Sequence, residues 1–135
     1  MSAAPRLIEA AQSVYAHAHA PYSRYRVAAA VLADDGEIYT GVNVENAVFP
    51  LTMCAERTAI FSAISSGAKC ILEIAVVTEN AGSPCGSCRQ VMREFARDDM
   101  QVHIAGVDGS YRTRSLAELL PDSFSAGDLI CGPDR

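Results

Sequence analysis

The sequence lacks any long apolar run. No stretch approaches the roughly 20 residues needed to span a bilayer, although half of the 135 residues are hydrophobic. The first 20 residues, MSAAPRLIEAAQSVYAHAHA, also lack the basic region and apolar core of a secretory signal. We therefore expect a chain that has no membrane partner and that works in the cytoplasm.

An excess of positive charge is also missing, because the formal net charge is −5. Binding to a nucleic acid polymer relies on Lys and Arg that contact phosphates, so a polymer is disfavoured as the main partner. Internal repeats and low-complexity linkers are absent as well. These features predict a single domain over residues 1–135, with a tail at about 126–135 that we expect to be flexible. A small molecule is the favoured partner.

The number of cysteines is odd. The five cysteines are Cys54, Cys70, Cys85, Cys88 and Cys131. A disulfide framework needs an oxidising compartment and usually an even number of cysteines. The count therefore favours free or metal-bound thiols in a reducing compartment.

The spacing of apolar residues predicts an α/β domain. Strand, helix, strand, helix and strand follow one another from residue 37 to 107, which indicates a layered fold with parallel central strands. The Asp-Gly turns at residues 34–36 and 108–110 predict antiparallel hairpins. We predict helices over 4–19, 54–66 and 85–98 with a helical turn over 115–120, and strands over 24–33, 37–44, 70–78, 100–107 and 111–114.

Three cysteines occupy the starts of two predicted helices. Cys85 and Cys88 flank the first turn of the helix after strand 70–78, and Cys54 has the same kind of position on the preceding helix. We expect the strands before these two helices to be adjacent and parallel. Loops at the carboxyl ends of adjacent parallel strands converge at one edge of a sheet, so the three thiols should meet. Helix N-termini favour thiolates, and zinc with three protein ligands keeps a fourth position for water.

Other interpretations of these cysteines remain open at this point. Cys70 lies about 20 Å away, beyond the far end of the Cys54 helix, but Cys131 is a candidate fourth ligand for a structural zinc module. The CGSC segment also suits thiol–disulfide exchange, although Cys54 and Glu56 would then lack a purpose. A glutamate such as Glu56 in a first helical turn can simply complement the helix dipole.

The motifs CAE at 54–56 and PCGSC at 84–88 resemble those of the cytidine deaminases, in particular the small type with three cysteine ligands. PYSRYRVAAAVL, GVNVENA and AELLPDSFSAGDL extend the resemblance over nearly the whole chain. It implies a three-layer α/β/α fold with a five-stranded mixed sheet, one zinc per chain, and a homotetramer with shared active sites. The implied reaction is hydrolytic deamination of free cytidine and deoxycytidine to uridine, deoxyuridine and ammonia, in pyrimidine salvage.

The same resemblance implies roles for the residues around the metal. Cys54, Cys85 and Cys88 are the expected zinc ligands. Glu56 is the expected catalytic residue, which moves a proton from water to the ring nitrogen and then to the leaving amine. Arg57 resembles the arginine that hydrogen-bonds to ligand sulfurs and offsets the charge of three thiolates.

Substrate recognition is implied in the same way. Asn43 and Glu45 resemble the pair that binds the ribose hydroxyls, for which their donors and acceptors are suited. Phe124 resembles an aromatic residue that reaches across a subunit boundary and stacks on the pyrimidine. The resemblance also assigns Tyr25 and Ala55 to substrate binding.

Three positions depart from the usual pattern of the family. Tyr25 stands where phenylalanine is usual, Ala28 where glycine is usual, and Phe49 where tyrosine is usual. These changes leave a modified aminopyrimidine nucleoside as an alternative substrate. The ENA segment at 45–47 and Arg57 favour ordinary cytidine.

Overall fold

Five strands form one mixed sheet in a computed structural model, which describes residues 2–129. Strands β3 and β4 are parallel, and every other neighbouring pair is antiparallel. The strand order is β2-β1-β3-β4-β5. The predicted five-stranded mixed sheet is therefore confirmed. The strands are β1 (Val27–Ala33), β2 (Ile38–Val42), β3 (Ile71–Thr78), β4 (Gln101–Gly106) and β5 (Tyr111–Ser115).

Helices cover both faces of this sheet. No helix within residues 2–129 combines the length and the apolar character needed to cross a membrane. Residues 126–129 of the predicted tail form a helical turn, and the rest of the tail lies outside the described residues. The helices are α1 (Ala4–Val14), α2 (Ala55–Ser65), α3 (Gly86–Phe95), α4 (Leu116–Leu119) and α5 (Ala126–Leu129), with 3-10 turns at Tyr15–His17 and Phe49–Leu51.

Two predicted helices are longer than the observed ones. α1 ends at Val14 rather than at residue 19, because the chain beyond its 3-10 turn pairs with a distant segment: the His19 amide donates to the Asn43 carbonyl, and the Glu45 amide donates to the His19 carbonyl. α3 ends at Phe95 rather than at residue 98. The carbonyls of Asp98 and Met100 instead accept backbone hydrogen bonds from the start of α4.

The side chains of β1 alternate between two buried cores, as a strand geometry requires. Ala28 and Ala30 contact the core under α1, and Ala29 and Val31 contact the core under α2, α3 and α4. A strand buried on both faces explains why this segment reads as a continuous apolar run. The predicted three-layer α/β/α fold is thereby confirmed.

The two strands that precede α2 and α3 are parallel but not adjacent. β2 and β3 run in the same direction, yet β1 lies between them and is antiparallel to both. The prediction of adjacent parallel strands at this point is therefore wrong. The carboxyl ends of β2 and β3 still open at one edge of the sheet, so the starts of both helices meet there.

Gly41 in β2 allows α2 to approach the sheet closely. A Cβ atom at this position would lie 2.4 Å from the amide nitrogen of Ala59 and 2.7 Å from the carbonyl oxygen of Ala55. Both contacts are with backbone, which cannot move aside without shifting the helix. The absence of a side chain at Gly41 thus helps to set the position of α2 and of Cys54 at its start.

We expect Gly41→Ala to lower the free energy of unfolding by about 1–3 kcal/mol, because it overpacks the interface between β2 and α2. Urea titration of the parent and variant would measure this. The control is Gly127→Ala, whose added Cβ would meet only the Ser125 hydroxyl at 3.6 Å. Equal stability of the Gly41→Ala and parent proteins would contradict the proposed role of the close approach.

Candidate metal centre and pocket

The three cysteines at the helix starts converge on one point. Cys54 and Cys85 are the N-cap residues of α2 and α3, both with extended backbones, and Cys88 lies on the first turn of α3. The Cys54 and Cys85 sulfurs are 4.0 Å apart, and the Cys85 and Cys88 sulfurs are 3.6 Å apart. All three sulfur atoms lie within 4.8 Å of one another. The predicted convergence of thiols is therefore observed.

These separations suit one zinc ion. Tetrahedral zinc with bonds of about 2.3 Å to sulfur places its sulfur ligands about 3.8 Å apart. Among residues 2–129, no other Cys, His, Asp or Glu belongs to the group. Cys70 is exposed in the segment before β3, and Cys131 lies outside the described residues. Three donors leave one coordination position for a non-protein ligand, as in catalytic zinc sites.

Hydrogen bonds favour negative charge at Cys54. The Cys88 thiol and then the Arg57 guanidinium, whose Nη2 lies 3.2 Å from the Cys54 sulfur, lower the pKa of Cys54 to about 5. The hydrogen bond to Cys54 and burial raise the pKa of Cys88. These contacts favour the thiolate form of Cys54, the form that binds metal, and binding of a metal would displace the proton from Cys88.

Glu56 is the buried carboxylic acid next to this cluster. Its side chain is in the first turn of α2, and only 4% of the residue is exposed. Burial raises the pKa of Glu56 because a charged carboxylate is poorly solvated there. A buried carboxyl group beside a cluster of metal-binding thiols is well placed for general acid–base chemistry.

A cavity of about 250 Å³ connects Glu56 with the predicted substrate residues. Segments from four parts of the chain line it: residues 23–27, 43–45, 52–56 and 76–85. Two of the predicted zinc ligands, Cys54 and Cys85, belong to this lining. The predicted site residues Tyr25, Asn43, Glu45 and Glu56 lie there as well.

Asn43 and Glu45 are held in place by the segment at residues 22–27. The Asn43 amide oxygen accepts from the Val27 amide at 2.9 Å, and its nitrogen donates to the Tyr25 carbonyl at 2.7 Å. Glu45 accepts from two backbone amides and from the Ser23 hydroxyl, and this last hydrogen bond lowers the pKa of Glu45. Each side chain keeps further donor or acceptor capacity for a ligand.

Two predicted substrate residues lie outside the lining of this cavity. Ala55 is fully buried at the start of α2. Phe124 is 57% exposed beside α3, where its carbonyl accepts a hydrogen bond from the Gln90 side chain at 2.8 Å. Within one chain, Phe124 therefore does not form part of the pocket wall.

The three departures from the family pattern have different surroundings. Ala28 is buried on the α1 side of the sheet, away from the pocket. Phe49 is exposed and makes an edge contact with Tyr22, with ring centroids 5.6 Å apart. The Tyr25 hydroxyl is on the pocket edge and donates to the Asn80 side chain at 2.7 Å. Only the change at Tyr25 alters the lining of the cavity.

Arg89 supports the metal-binding segment and was not identified from the sequence. Its guanidinium donates to the Pro84 carbonyl, the Ser83 hydroxyl and the Leu119 carbonyl, each at 2.7 Å. It therefore ties the segment before Cys85 to the end of α4. Its position directly after Cys88 is the only signal in the sequence, and it does not reveal these distant partners.

We expect the purified protein to carry about one zinc per chain, and Cys85→Ala to lose most of it, since two thiols bind zinc far more weakly than three. Metal analysis by mass spectrometry would measure the zinc content. Cys70→Ala is the control, because it removes an exposed thiol outside the cluster. A Cys85→Ala protein that holds zinc as the parent does would show that other groups bind the metal.

Comparison with known proteins identifies the family. The model of the cytidine and deoxycytidylate deaminase zinc-binding region matches residues 1–104. Cytidine deaminase from Sporosarcina psychrophila is 44% identical over 126 residues, which cover 92% of this chain and 93% of that protein. The match therefore extends over nearly the full length of both proteins.

Solved structures agree with this match. The crystal structure of cytidine deaminase from Burkholderia pseudomallei has a TM-score of 0.85 and 44% identity, and it covers 92% of this chain and 100% of that one. The Mycobacterium tuberculosis cytidine deaminase structure has a TM-score of 0.78 and 38% identity, with coverage of 89% and 95%. The chain belongs to the cytidine and deoxycytidylate deaminase family.

Proposed function

We propose that this protein is a zinc-dependent deaminase that converts free cytidine and deoxycytidine to uridine and deoxyuridine with release of ammonia. The observation that carries the proposal is the buried carboxyl of Glu56 in the same cavity as two thiols of the metal cluster. Relatives named cytidine deaminase support the substrate class. A role in pyrimidine salvage and a location in the reducing cytoplasm fit such a reaction and its free thiols.

The reaction replaces the amine of an aromatic ring carbon by oxygen. Cys54, Cys85 and Cys88 would hold the zinc ion, which would supply Lewis-acid activation of water. Glu56 accepts the proton of the attacking water and passes it to the ring nitrogen. It then carries the second proton of that water to the departing amine, which leaves as ammonia. The raised pKa of Glu56 suits this work, because the proton must be held between the two transfers.

Arg57 would offset the charge of the loaded centre. Three thiolates and one divalent cation carry a net charge of −1, which weakens the activation of water. The guanidinium of Arg57, 3.2 Å from the Cys54 sulfur, withdraws some of that negative charge through its hydrogen bond. Its role is therefore to position and polarise a ligand rather than to touch the substrate.

The opposite wall of the cavity would hold the sugar. Asn43 and Glu45 are anchored by backbone and by Ser23, and their remaining donors and acceptors suit a pair of ribose hydroxyls. Tyr25 lies beside them at the cavity edge. Ala55, at the start of α2, is fully buried and lies outside the cavity lining, so its assignment to substrate binding stays a prediction.

One experiment separates this proposal from its alternatives. Metal analysis would be combined with ammonia release from cytidine, deoxycytidine and a modified aminopyrimidine nucleoside. A thiol–disulfide oxidoreductase would reduce a model disulfide and release no ammonia, and a structural zinc module would hold zinc without turnover. Zinc-bound protein that releases no ammonia from cytidine or deoxycytidine would overturn the proposal.

We expect Glu56→Gln to keep its zinc and still bind a pyrimidine nucleoside, yet to lower kcat by at least about 10²–10⁴-fold, which is the usual contribution of proton transfer. Steady-state kinetics, metal analysis and titration with uridine would measure the three properties. Glu9→Gln on the exposed side of α1 is the control. Normal turnover with weak nucleoside binding would reassign Glu56 to substrate recognition.

A second subunit would complete the pocket in the proposed homotetramer. Phe124 is exposed and lies outside the cavity of its own chain. Further exposed apolar residues lie near the substrate-binding segments in the sequence: Tyr22, Val44, Val48, Phe49 and Leu51. Covering these side chains against another copy would remove apolar surface from water and bring a foreign aromatic residue to the base.

We expect Phe124→Ala to lower kcat/KM by about 5- to 150-fold, the range that follows from stacking worth about 1–3 kcal/mol per base. Lost activity alone would not reveal whose pocket Phe124 serves. The deciding measurement mixes Phe124→Ala chains with Glu56→Ala chains after dissociation and reassembly. If sites are shared, some mixed sites combine an intact Glu56 with the neighbour's Phe124, and efficiency per such site recovers.

Native gels and sedimentation would verify that mixed oligomers form. If efficiency per intact Glu56 stays at the level of Phe124→Ala in these mixed oligomers, then Phe124 serves only its own chain. A parent protein that is monomeric at assay concentrations and fully active would also contradict shared sites.

A further inference from the structure

Tyr25 connects the two walls of the cavity. On the sugar side, its carbonyl accepts from the Asn43 side chain at 2.7 Å, and its amide donates to the Ser23 hydroxyl at 3.0 Å. The same Ser23 hydroxyl donates to Glu45. On the metal side, the Tyr25 hydroxyl donates to the Asn80 side chain at 2.7 Å. One residue thus contacts both the proposed ribose-binding pair and the segment that leads to Cys85.

The segment from residue 79 to 85 has an irregular backbone held by side chains. The Thr78 hydroxyl accepts from the Gly82 amide at 2.6 Å, and an Arg112 guanidinium nitrogen donates to the Ala81 carbonyl at 3.1 Å. Ala81 has a φ of 55°, in the left-handed region that a residue with a Cβ rarely adopts. Such a conformation persists only when surrounding contacts maintain it.

Tyr25 also packs against this segment. A Cβ atom at position 82 would lie 2.3 Å from the Tyr25 hydroxyl, so Gly82 provides the space that the hydroxyl occupies. The Asn80 oxygen that accepts from Tyr25 also lies 3.4 Å from the Thr78 hydroxyl. The Tyr25 hydroxyl is therefore one member of a small polar network at the end of β3.

We infer that the hydroxyl of Tyr25 is a positioning group, which fixes residues 79–85 and hence Cys85 relative to the wall that carries Asn43 and Glu45. The inference rests on the proposed function for the identity of the site. The zinc-release and hydrogen-exchange tests below do not require that function to be correct. A phenylalanine at position 25 would keep the ring at the cavity edge and lose only the hydrogen bond to Asn80. Retention of the metal by Cys85 is then the property that depends on the hydroxyl.

The first test compares zinc release from Tyr25→Phe and parent protein. Loss of one hydrogen bond shifts a local equilibrium by about fivefold, or about 1 kcal/mol. We therefore expect zinc to transfer to an excess of a chromogenic chelator about five times faster. Asn80→Ala should accelerate release similarly, and the double variant should release zinc no faster than either single variant, since both remove the same interaction.

Two further variants separate positioning from general stability. Asn80→Asp keeps an acceptor for the Tyr25 hydroxyl and should retain slow release. Tyr39→Phe removes a comparable hydroxyl, which donates to Asp35 at 2.5 Å in the turn between β1 and β2, and should release zinc at the parent rate. With cytidine as substrate, Tyr25→Phe should lower kcat while KM stays within about twofold, because the ring is kept.

A second readout does not depend on metal or turnover. Hydrogen exchange of the Gly82 amide, which donates to Thr78, should accelerate by a similar factor in Tyr25→Phe. Parent-like zinc release and exchange in both Tyr25→Phe and Asn80→Ala would overturn the inference. So would equal acceleration in Tyr39→Phe. Zinc-loaded parent protein without ammonia release would instead overturn the proposed function and leave this comparison intact.

Discussion

The concentration of acidic groups at one point is the constraint on which the rest of the structure depends. Three thiols lie within 4.8 Å of one another, and the buried Glu56 lies beside them. If no positive potential were nearby, mutual repulsion between their charged forms would keep such groups protonated. Two helix N-termini and the Arg57 guanidinium provide that potential. Both helices must therefore start at the same edge of the sheet.

This requirement sets how helices and sheet pack. α2 approaches β2 so closely that only glycine fits at position 41, and its contact face consists largely of alanine at positions 55, 59 and 63. Small side chains bring the axis of α2 near the sheet. The backbone of Met53, just before α2, pairs with that of Val44, and this pairing fixes where the helix begins. The metal centre is thus placed by backbone contacts on the sheet rather than by the loops alone.

Local patterns in the sequence were sufficient for the elements but not for their tertiary partners. The starts of α2 and α3 and all five strands follow from apolar spacing and turn residues, and the CAE and PCGSC motifs place three thiols together. The end of α1 depends on pairing of His19 with a segment more than 20 residues away. The hydrogen bonds of Ser23, Asn80 and Arg89 likewise join distant segments, and no periodicity within a segment specifies them.

The cavity has two walls of different origin, and a ligand that bridges them depends on their relative position. One wall belongs to the hairpin of β1 and β2 and carries Asn43 and Glu45. The other belongs to the helix starts and carries Glu56, Cys54 and Cys85. In the proposed function, a nucleoside bound by its sugar on the first wall would present its base to the second only if the spacing between the walls is fixed. The backbone pairing of Val44 with Met53 joins the walls on one side, and the hydrogen bond from Tyr25 to Asn80 joins them on the other.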